Sequence, residues 1–420
     1  MKAEWEEKTL GEVSDIINGG TPKSKVAEFW DGNVNWLTPK DMGKLDGKYV
    51  AETPRKITEL GLQKSSAKLA KPRSVIMSTR APIGHLAINE VPMAFNQGCR
   101  ALQPNEGTDE HFLFYYLLAN VTPLNDLGTG TTFKELSGKA LKEFKIPLPP
   151  LAEQKQIVSV LDQAFAGIER AAEAARKNRD NARELFETTL NATFTQKGKG
   201  WVETTLGEVC EITHGFAFKG SNFGVSDNEE EPIVLTPGNY SEAGRLVFTA
   251  KNTKRFNGEV PVSYLFEVGE LTVVMTDLSS QMKLLGKPAF IEHRHILHNQ
   301  RIGRVIFKTD FVDRKFVYYF LRSRVASVAI QETSTGTMVR HTAPKRILAL
   351  RFPLPTDRNL LSAAIGRLDQ LEAKTQCLEI LYQQKLDALE ELKHSLLQKA
   401  FAGELTVDFV ADRAEDALAI

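Results

Sequence analysis

Three cysteines in 420 residues, Cys99, Cys210 and Cys377, are too few and too far apart for a disulfide framework, and no CxxC pattern offers a structural zinc site. They read as ordinary buried thiols. An excess of one charge is missing too: Lys plus Arg and Asp plus Glu both total 53, so the whole chain has no net attraction to nucleic acid or membrane. Any such surface must be local. No run approaches the roughly 18 apolar residues that span a bilayer, and the opening MKAEWEEKTL has no apolar signal region, so the expectation is a cytoplasmic protein with no membrane partner. Catalytic signatures are also absent. GTGTT and STGT lack the GxxxxGK[ST] arrangement of a P-loop, and no GxSxG, HExxH, HRD-type or NPPY-like set occurs. HRHILH brings His293, His295 and His298 together, but no Cys joins them and LAINEVPMAF of the first copy holds no counterpart, which favours a polar edge strand or phosphate contacts.

What is there is repetition. WEEKTLGEV from Trp5 returns as WVETTLGEV from Trp201, and the resemblance continues in order. WLTPKDM from Trp36 answers VLTPGNY from Val234, VIMST from Val75 answers VVMTD from Val273, and FNQGCR from Phe95 answers HNQRIGR from His298. HFLFYYLL from His111 then answers KFVYYFLR from Lys315, GTGTTFK from Gly128 answers STGTMVR from Ser334, and FKIPLPP from Phe144 answers LRFPLPT from Leu350. A slow drift in the offset is what small loop insertions produce. Two copies of one unit of about 200 residues follow, in a chain too long for one core.

Each copy divides again. Its first part has short apolar runs broken by Gly, Pro, Asn and Asp, which predicts strands with one or two helices, HFLFYYLLAN foremost among them. A proline stop, IPLPP or FPLPT, then forces an extended entry into a long helix. Ile157, Leu161, Ala164, Ile168, Ala171, Ala175, Asn178, Ala182, Leu185 and Ala192 fall almost entirely on alternating steps of four and three. So do Leu368, Leu371, Thr375, Leu378, Tyr382, Lys385, Leu389, Leu392 and Leu396. Neither stripe can be buried alone in water, and the economical partner for each is the other, packed antiparallel. Homodimeric seams stay open as the alternative. The expected class is α+β, with two mixed α/β domains, two long antiparallel coiled-coil helices and an internal pseudo-two-fold repeat.

IPLPPLAEQKQIVSVLDQ resembles the opening of the helical region in specificity subunits of type I restriction-modification enzymes. NGGTPKSKVAEFWDGNVNWLTPKDM, STRAPIGHLAINEVPMAFNQGCRALQP and GTGTTFKELSGKALKEFKIPLPP resemble the matching target-recognition domain, and LLQKAFAGEL resembles the family's usual close. FPLPTDRNLLSAAIGRLDQ is similar but lacks the AEQ run. The resemblance covers essentially the whole chain. It implies target-recognition domains at 1–150 and 199–356, helical regions at 151–198 and 357–403, and a tail at 404–420. It further implies a non-catalytic subunit whose two domains each read half of a bipartite, asymmetric site on double-stranded DNA. The helices would set the spacing and dock two methyltransferase subunits, and restriction/translocase subunits would join them. No cofactor is implied for this chain; S-adenosylmethionine, ATP and Mg belong to the partner subunits. The alternative is a bilobed scaffold that binds protein partners through its coiled coil. DNA affinity falls steeply with salt, which separates the two readings.

Reading DNA takes phosphate contacts for position and bidentate polar groups for base edges, usually on loops. The first copy offers Thr21, Lys23, Ser24, Lys40, Arg80, Asn96, Gln97, Arg100, Thr131 and Lys134. The second offers Lys219, Ser221, Asn239, Thr276, Asn299, Arg301, Thr337 and Arg340. Asn96 and Gln97 recur as Asn299 and Gln300, which equally suits a structural pair satisfying backbone groups, with Arg100 and Arg301 beside it making the contacts. Matched positions that differ in side chain suit two readers of different half-sites.

Overall fold

The computed structural model describes residues 5–80, 82–130, 134–195, 199–226 and 228–405. The chain divides into two compact units, Met1–Lys177 with Leu381–Ile420 and Asn178–Ile380. The helix Leu151–Thr195 begins in the first unit and ends in the second; the helix Arg358–Ala402 does the reverse.

In the first unit a five-stranded sheet runs in the order Ser14–Asn18, Cys99–Pro104, Val75–Thr79, Ile83–Asn89 and Tyr49–Val50. A second sheet joins Lys56–Ile57, Trp30–Leu37, Met93–Phe95 and Leu69–Ala70. The second unit repeats the plan. Cys210–His214, Ile302–Phe307, Leu271–Val274 and Pro288–Phe290 form one sheet, and Phe223–Gly224, Arg255–Phe256, Ile233–Leu235 and Ile296–His298 another. The pairing Leu37↔Phe95 is parallel, and so is its counterpart Leu235↔His298.

The duplicated opening phrase has a structural task. Glu6–Thr9 pairs with Lys145–Leu148, and Trp201–Thr205 with Arg351–Pro355, so each opening closes onto the strand that carries the proline stop. Pro fits such a two-stranded edge, where an absent N–H costs no ladder bond. Asp109 caps the aromatic helix Glu110–Ala119 by accepting from His111 N (2.9 Å) and Phe112 N (3.1 Å); Asp313 caps Arg314–Arg322 through Lys315 N (2.8 Å). The AEQ run also acquires a reason. Gln154 is fully buried, donates to Gly107 O (2.9 Å) and Pro149 O (2.8 Å), and accepts from Asp109 N (2.9 Å), tying the first long helix to that cap.

The long helices bury their stripes in the domains as well as against each other. In the first unit Ile157, Val158 and Leu161 share a core with Phe112, Tyr116, Leu396, Leu397 and Ala400. In the second, Phe186, Leu190 and Phe194 share one with Phe316, Phe320, Leu361, Ile365 and Leu368. Early residues of one helix meet late residues of the other within each unit, the antiparallel sense expected.

Two expectations need correction. The seam of the first helix does not pass through Asn178, Leu185 and Ala192, which are exposed, Leu185 by 58%. The buried stripe runs Ala175, Ala182, Phe186, Leu190, Phe194. A 3.6-residue turn drifts by about 20° per heptad, and a helix that ends against a globular core follows its own period rather than a strict coiled-coil repeat. Leu378, expected in the second seam, is likewise 37% exposed. Cys377 lies on the outer side of that helix and is exposed; Cys99 and Cys210 are buried, and burial pushes both thiols up to about 12.

Candidate nucleic-acid interface

The proposed reading loops of the first unit converge because one glycine lets their backbones touch. A Cβ on Gly19 would stand 2.1 Å from Asn96 O, so the NGGT loop and the FNQG loop can meet only with glycine there. The second unit repeats the contact, where a Cβ on Gly215 would lie 2.3 Å from His298 O. Across the first contact Thr21 donates to Gln97 Oε1 and accepts from Asn96 Nδ2 (3.0 Å). Asn96 Oδ1 also accepts from Gly98 N (2.8 Å), as Asn299 Oδ1 does from Arg301 N (3.0 Å). Both asparagines therefore shape their own turns, which leaves Gln97, Gln300 and Arg301 on the exposed side.

Arg80 follows the buried Ser78 and Thr79, and its stem lies over Gly98. Its Nη2 pairs with Glu135 Oε1 at 3.2 Å, across an antiparallel bridge between Arg80 and Glu135. Thr129 also bridges Glu135, which brings the GTG loop to the same place. Arg100 is more enclosed than expected: Nε donates to Asn18 Oδ1 (3.0 Å), Nη1 to Leu136 O (2.6 Å), and burial lowers its proton affinity. Lys23 and Ser24 are exposed on the neighbouring turn, and Lys134 is 3.9 Å from Asp126. Lys40 is exposed on a separate turn, Pro39–Met42, where Thr38 and Asp41 cap each other. Thr131 lies outside the described residues.

In the second unit the corresponding bridge joins Thr276 to His341, with Thr276 Oγ1 3.1 Å from His341 Nδ1; the strand pairing thereby sets Thr276 at the place of Arg80, two residues from the register in which VIMST answers VVMTD. Thr335 bridges His341 as Thr129 bridges Glu135. An ion pair in one copy is thus a hydroxyl–imidazole pair in the other. Glu135 and His341 were not among the residues singled out from sequence; aligning GTGTTFKEL with STGTMVRHT places them at one position. Lys219, Ser221, Arg301 and Thr337 are exposed, Arg340 half-buried. Asn239 and Thr276 require correction as reading groups. Asn239 has no exposed surface, accepts from Thr236 N (2.9 Å) and donates to Asn252 O (3.1 Å), so its amide is spent on framing a loop. Thr276 is 6% exposed and Asn299 equally so, so both support neighbours rather than present themselves. Nε of Arg80 and Nε of Arg340 are both covered and lack a hydrogen-bond partner among the described residues.

The histidine cluster is not convergent. His293 and His295 are exposed, whereas His298 is 2% exposed and sits 2.8 Å from Ile302 O. Among the described residues no group of His, Cys, Asp and Glu could hold a metal ion, and no helix is long and apolar enough to cross a membrane.

Residues 2–176 match the family model described as the type I restriction modification DNA specificity domain. The type I restriction enzyme MjaIX specificity subunit of Methanocaldococcus jannaschii is 31% identical over 228 residues, 50% of this chain and 53% of the relative. The EcoR124I/EcoR124II specificity subunit of Escherichia coli is 31% identical over 44% of this chain and 48% of its own length. The chain thus spans about half the length of these two relatives. The MjaVIII specificity subunit of Methanocaldococcus jannaschii aligns over 96% of this chain and 93% of the relative at 23% identity. Among solved structures, a chain from a study of complex assembly and conformational transition of the type I R-M system superposes with a TM-score of 0.75 at 18% identity, covering 96% of this chain and 99% of that one. The HsdS subunit from Thermoanaerobacter tengcongensis gives 0.56 at 19% identity, over 96% and 98%. These likenesses establish the fold.

Proposed function

We propose that the chain, whose residues 2–176 match the model of the type I restriction modification DNA specificity domain, belongs to that family and is the non-catalytic targeting subunit of a cytoplasmic type I restriction-modification complex. Each unit reads one half of a bipartite, asymmetric site on double-stranded DNA. The two 45-residue helices hold the readers apart and dock two methyltransferase subunits, with restriction/translocase subunits joining them. S-adenosylmethionine, ATP and Mg serve on those partners.

The observation that supports this reading is one scaffold built twice with different chemistry at a matched position, Arg80 with Glu135 in one copy and Thr276 with His341 in the other. A guanidinium held by a carboxylate is pre-oriented for bidentate hydrogen bonding to guanine; at the matched place the second copy presents the exposed imidazole of His341, backed by the buried Thr276, which cannot form the same fork. Loop lysines such as Lys23 and Lys219 supply phosphate contacts.

A base-resolution methylation map of DNA from cells expressing this chain with its methyltransferase subunit tests the proposal. The expected result is a new motif of two unlike half-sites, each with a methylated adenine, at a constant gap. A soluble complex that adds no methylation would overturn it. Arg80→Ala should weaken discrimination at one base position of one half-site by about 1–3 kcal/mol and leave the other half intact. Equal loss at both halves in the same map would contradict the assignment of one reader per unit.

A further inference from the structure

The repeat carries a second constellation away from the reading loops. In the first unit Tyr115, on the aromatic helix, donates its hydroxyl to Asp162 Oδ1 on the long helix. Lys48 Nζ reaches the same oxygen at 2.6 Å and lies 5.0 Å from the centre of the Tyr115 ring. In the second unit the single O–H of Tyr319 lies between Asp369 Oδ1 (2.7 Å) and Glu372 Oε2 (2.9 Å), which share it, and Arg245 reaches Glu372 Oε1 at 3.3 Å. These are the same residues of the repeat: the first Tyr of FLFYYLL, which stands opposite the second of FVYYFLR, the Asp of VLDQ and RLDQ, and the cation that follows a glycine. Those glycines, Gly47 and Gly244, both have positive φ (99° and 76°), the left-handed turn that aims the next side chain at the helix.

Aromatic rings flank both tyrosines. Tyr115 packs on Phe165 at 5.4 Å between ring centres, and Tyr319 on Phe186 at 6.5 Å. Apolar contact is non-directional and permits sliding and rotation, whereas a hydroxyl and a cation converging on one carboxylate fix both. Burial and the adjacent carboxylates raise both tyrosine hydroxyls far above their ordinary range, so they stay donors at any physiological pH. The second copy is reinforced: Arg322, 6% exposed, donates to Glu372 Oε1 (2.6 Å) and Tyr318 Oη (3.0 Å), and Lys315 pairs with Asp369 (2.7 Å).

We infer that Lys48, Tyr115 and Asp162, and their counterparts Arg245, Tyr319 and Asp369 with Glu372, are positioning residues that fix the angle at which each reading domain is held on its long helix, and so narrow the range of half-site gaps the protein accepts. This rests on the specificity-subunit reading. None of these side chains is assigned a contact with DNA; each acts through the orientation of its domain.

The test uses the full chain in complex with its methyltransferase subunit, the mapped half-sites held constant and the gap varied one base pair at a time. Tyr115→Phe combined with Lys48→Met removes the polar fixation and keeps most of the packing; Asp162→Asn retains bulk and an acceptor. Methylation at the best gap should change less than about twofold and base preference not at all, while preference over the neighbouring gaps drops at least about fivefold. Loss by one common factor at every gap, or unchanged gap preference in a folded variant, would overturn the inference. Hydrogen exchange on the same full-length variant judges the clamp without DNA. Protection should drop around residues 48–50 and on the facing turn of the long helix, with the sheet core unchanged. If exchange shows that local loosening while the wild type methylates no bipartite site, the functional reading falls and the clamp stands; unchanged exchange means there is no clamp.

Discussion

Four residues inserted into the helix Leu151–Thr195 shift the gap between the two methylated half-sites and leave the bases of each half unchanged. At a rise of 1.5 Å per residue the insertion lengthens the spacer by about 6 Å and turns it by roughly 40° beyond one full turn. With about 34 Å per 10 base pairs of DNA, this corresponds to a gap longer by about two base pairs, the same geometry by which dimer separation sets operator spacing. The insertion belongs after Arg176, among the exposed residues Arg176, Lys177 and Asn178 that lie between the buried Ala175 and Ala182, where it enters neither domain core. A methylation map of cells carrying the insertion reads the result directly. An unchanged gap, with methylation retained, would mean that the helices do not measure distance and that spacing is set elsewhere.

Acid should unsettle the second unit far more than the first, through one residue. His298 ends the strand Ile296–His298, is 2% exposed, stacks on Phe266 at 4.7 Å between ring centres, and donates from Nε2 to Ile302 O at 2.8 Å. Burial, with Arg304 and His214 nearby, lowers its pKa to about 4, against the backbone bond that favours the proton. The folded pKa is depressed, so the unfolded chain binds the proton first as pH falls. Stability is then full above about 6.5 and is lost progressively down to about 4, a total of about 3 kcal/mol at 1.36 kcal/mol per unit. The matched position in the first copy is Phe95, fully buried and unable to titrate. His298→Phe should therefore flatten the pH dependence, measured as the denaturation midpoint of the second unit between pH 7 and pH 4. Because a Cβ at Gly215 would meet His298 O, recognition of the second half-site should weaken in the same window while that of the first persists. An equally steep dependence in the variant would assign the effect to other groups.

The interface was legible in part, and the division has a physical cause. Polar loops of a duplicated scaffold reveal where side chains of reading type lie, and Arg80, Gln97 and Arg301 do reach open positions. Burial is not written in a loop's composition. Asn239 looks like an adenine reader until its amide is found bonded to Thr236 and Asn252, and Asn96 and Asn299 look like contacts until each accepts from the backbone two residues on. Glu135 and His341 were passed over because neither stands out in its own copy; only the bridge to Arg80 or Thr276 shows that they occupy one position.

By itself the sequence determined the duplication, the strand-rich domains, the proline stops and the two long helices, because these depend on order along the chain and on local periodicity. Tertiary structure alone decided which side of each helix is covered. Phe186 rather than Leu185 is buried because the helix ends against a domain core and keeps a period of 3.6. It also decided that Lys48, Tyr115 and Asp162 meet, residues 67 and 47 positions apart whose types give no hint of each other. Hydrogen bonds and burial depend on distances in space, and only the folded chain sets those.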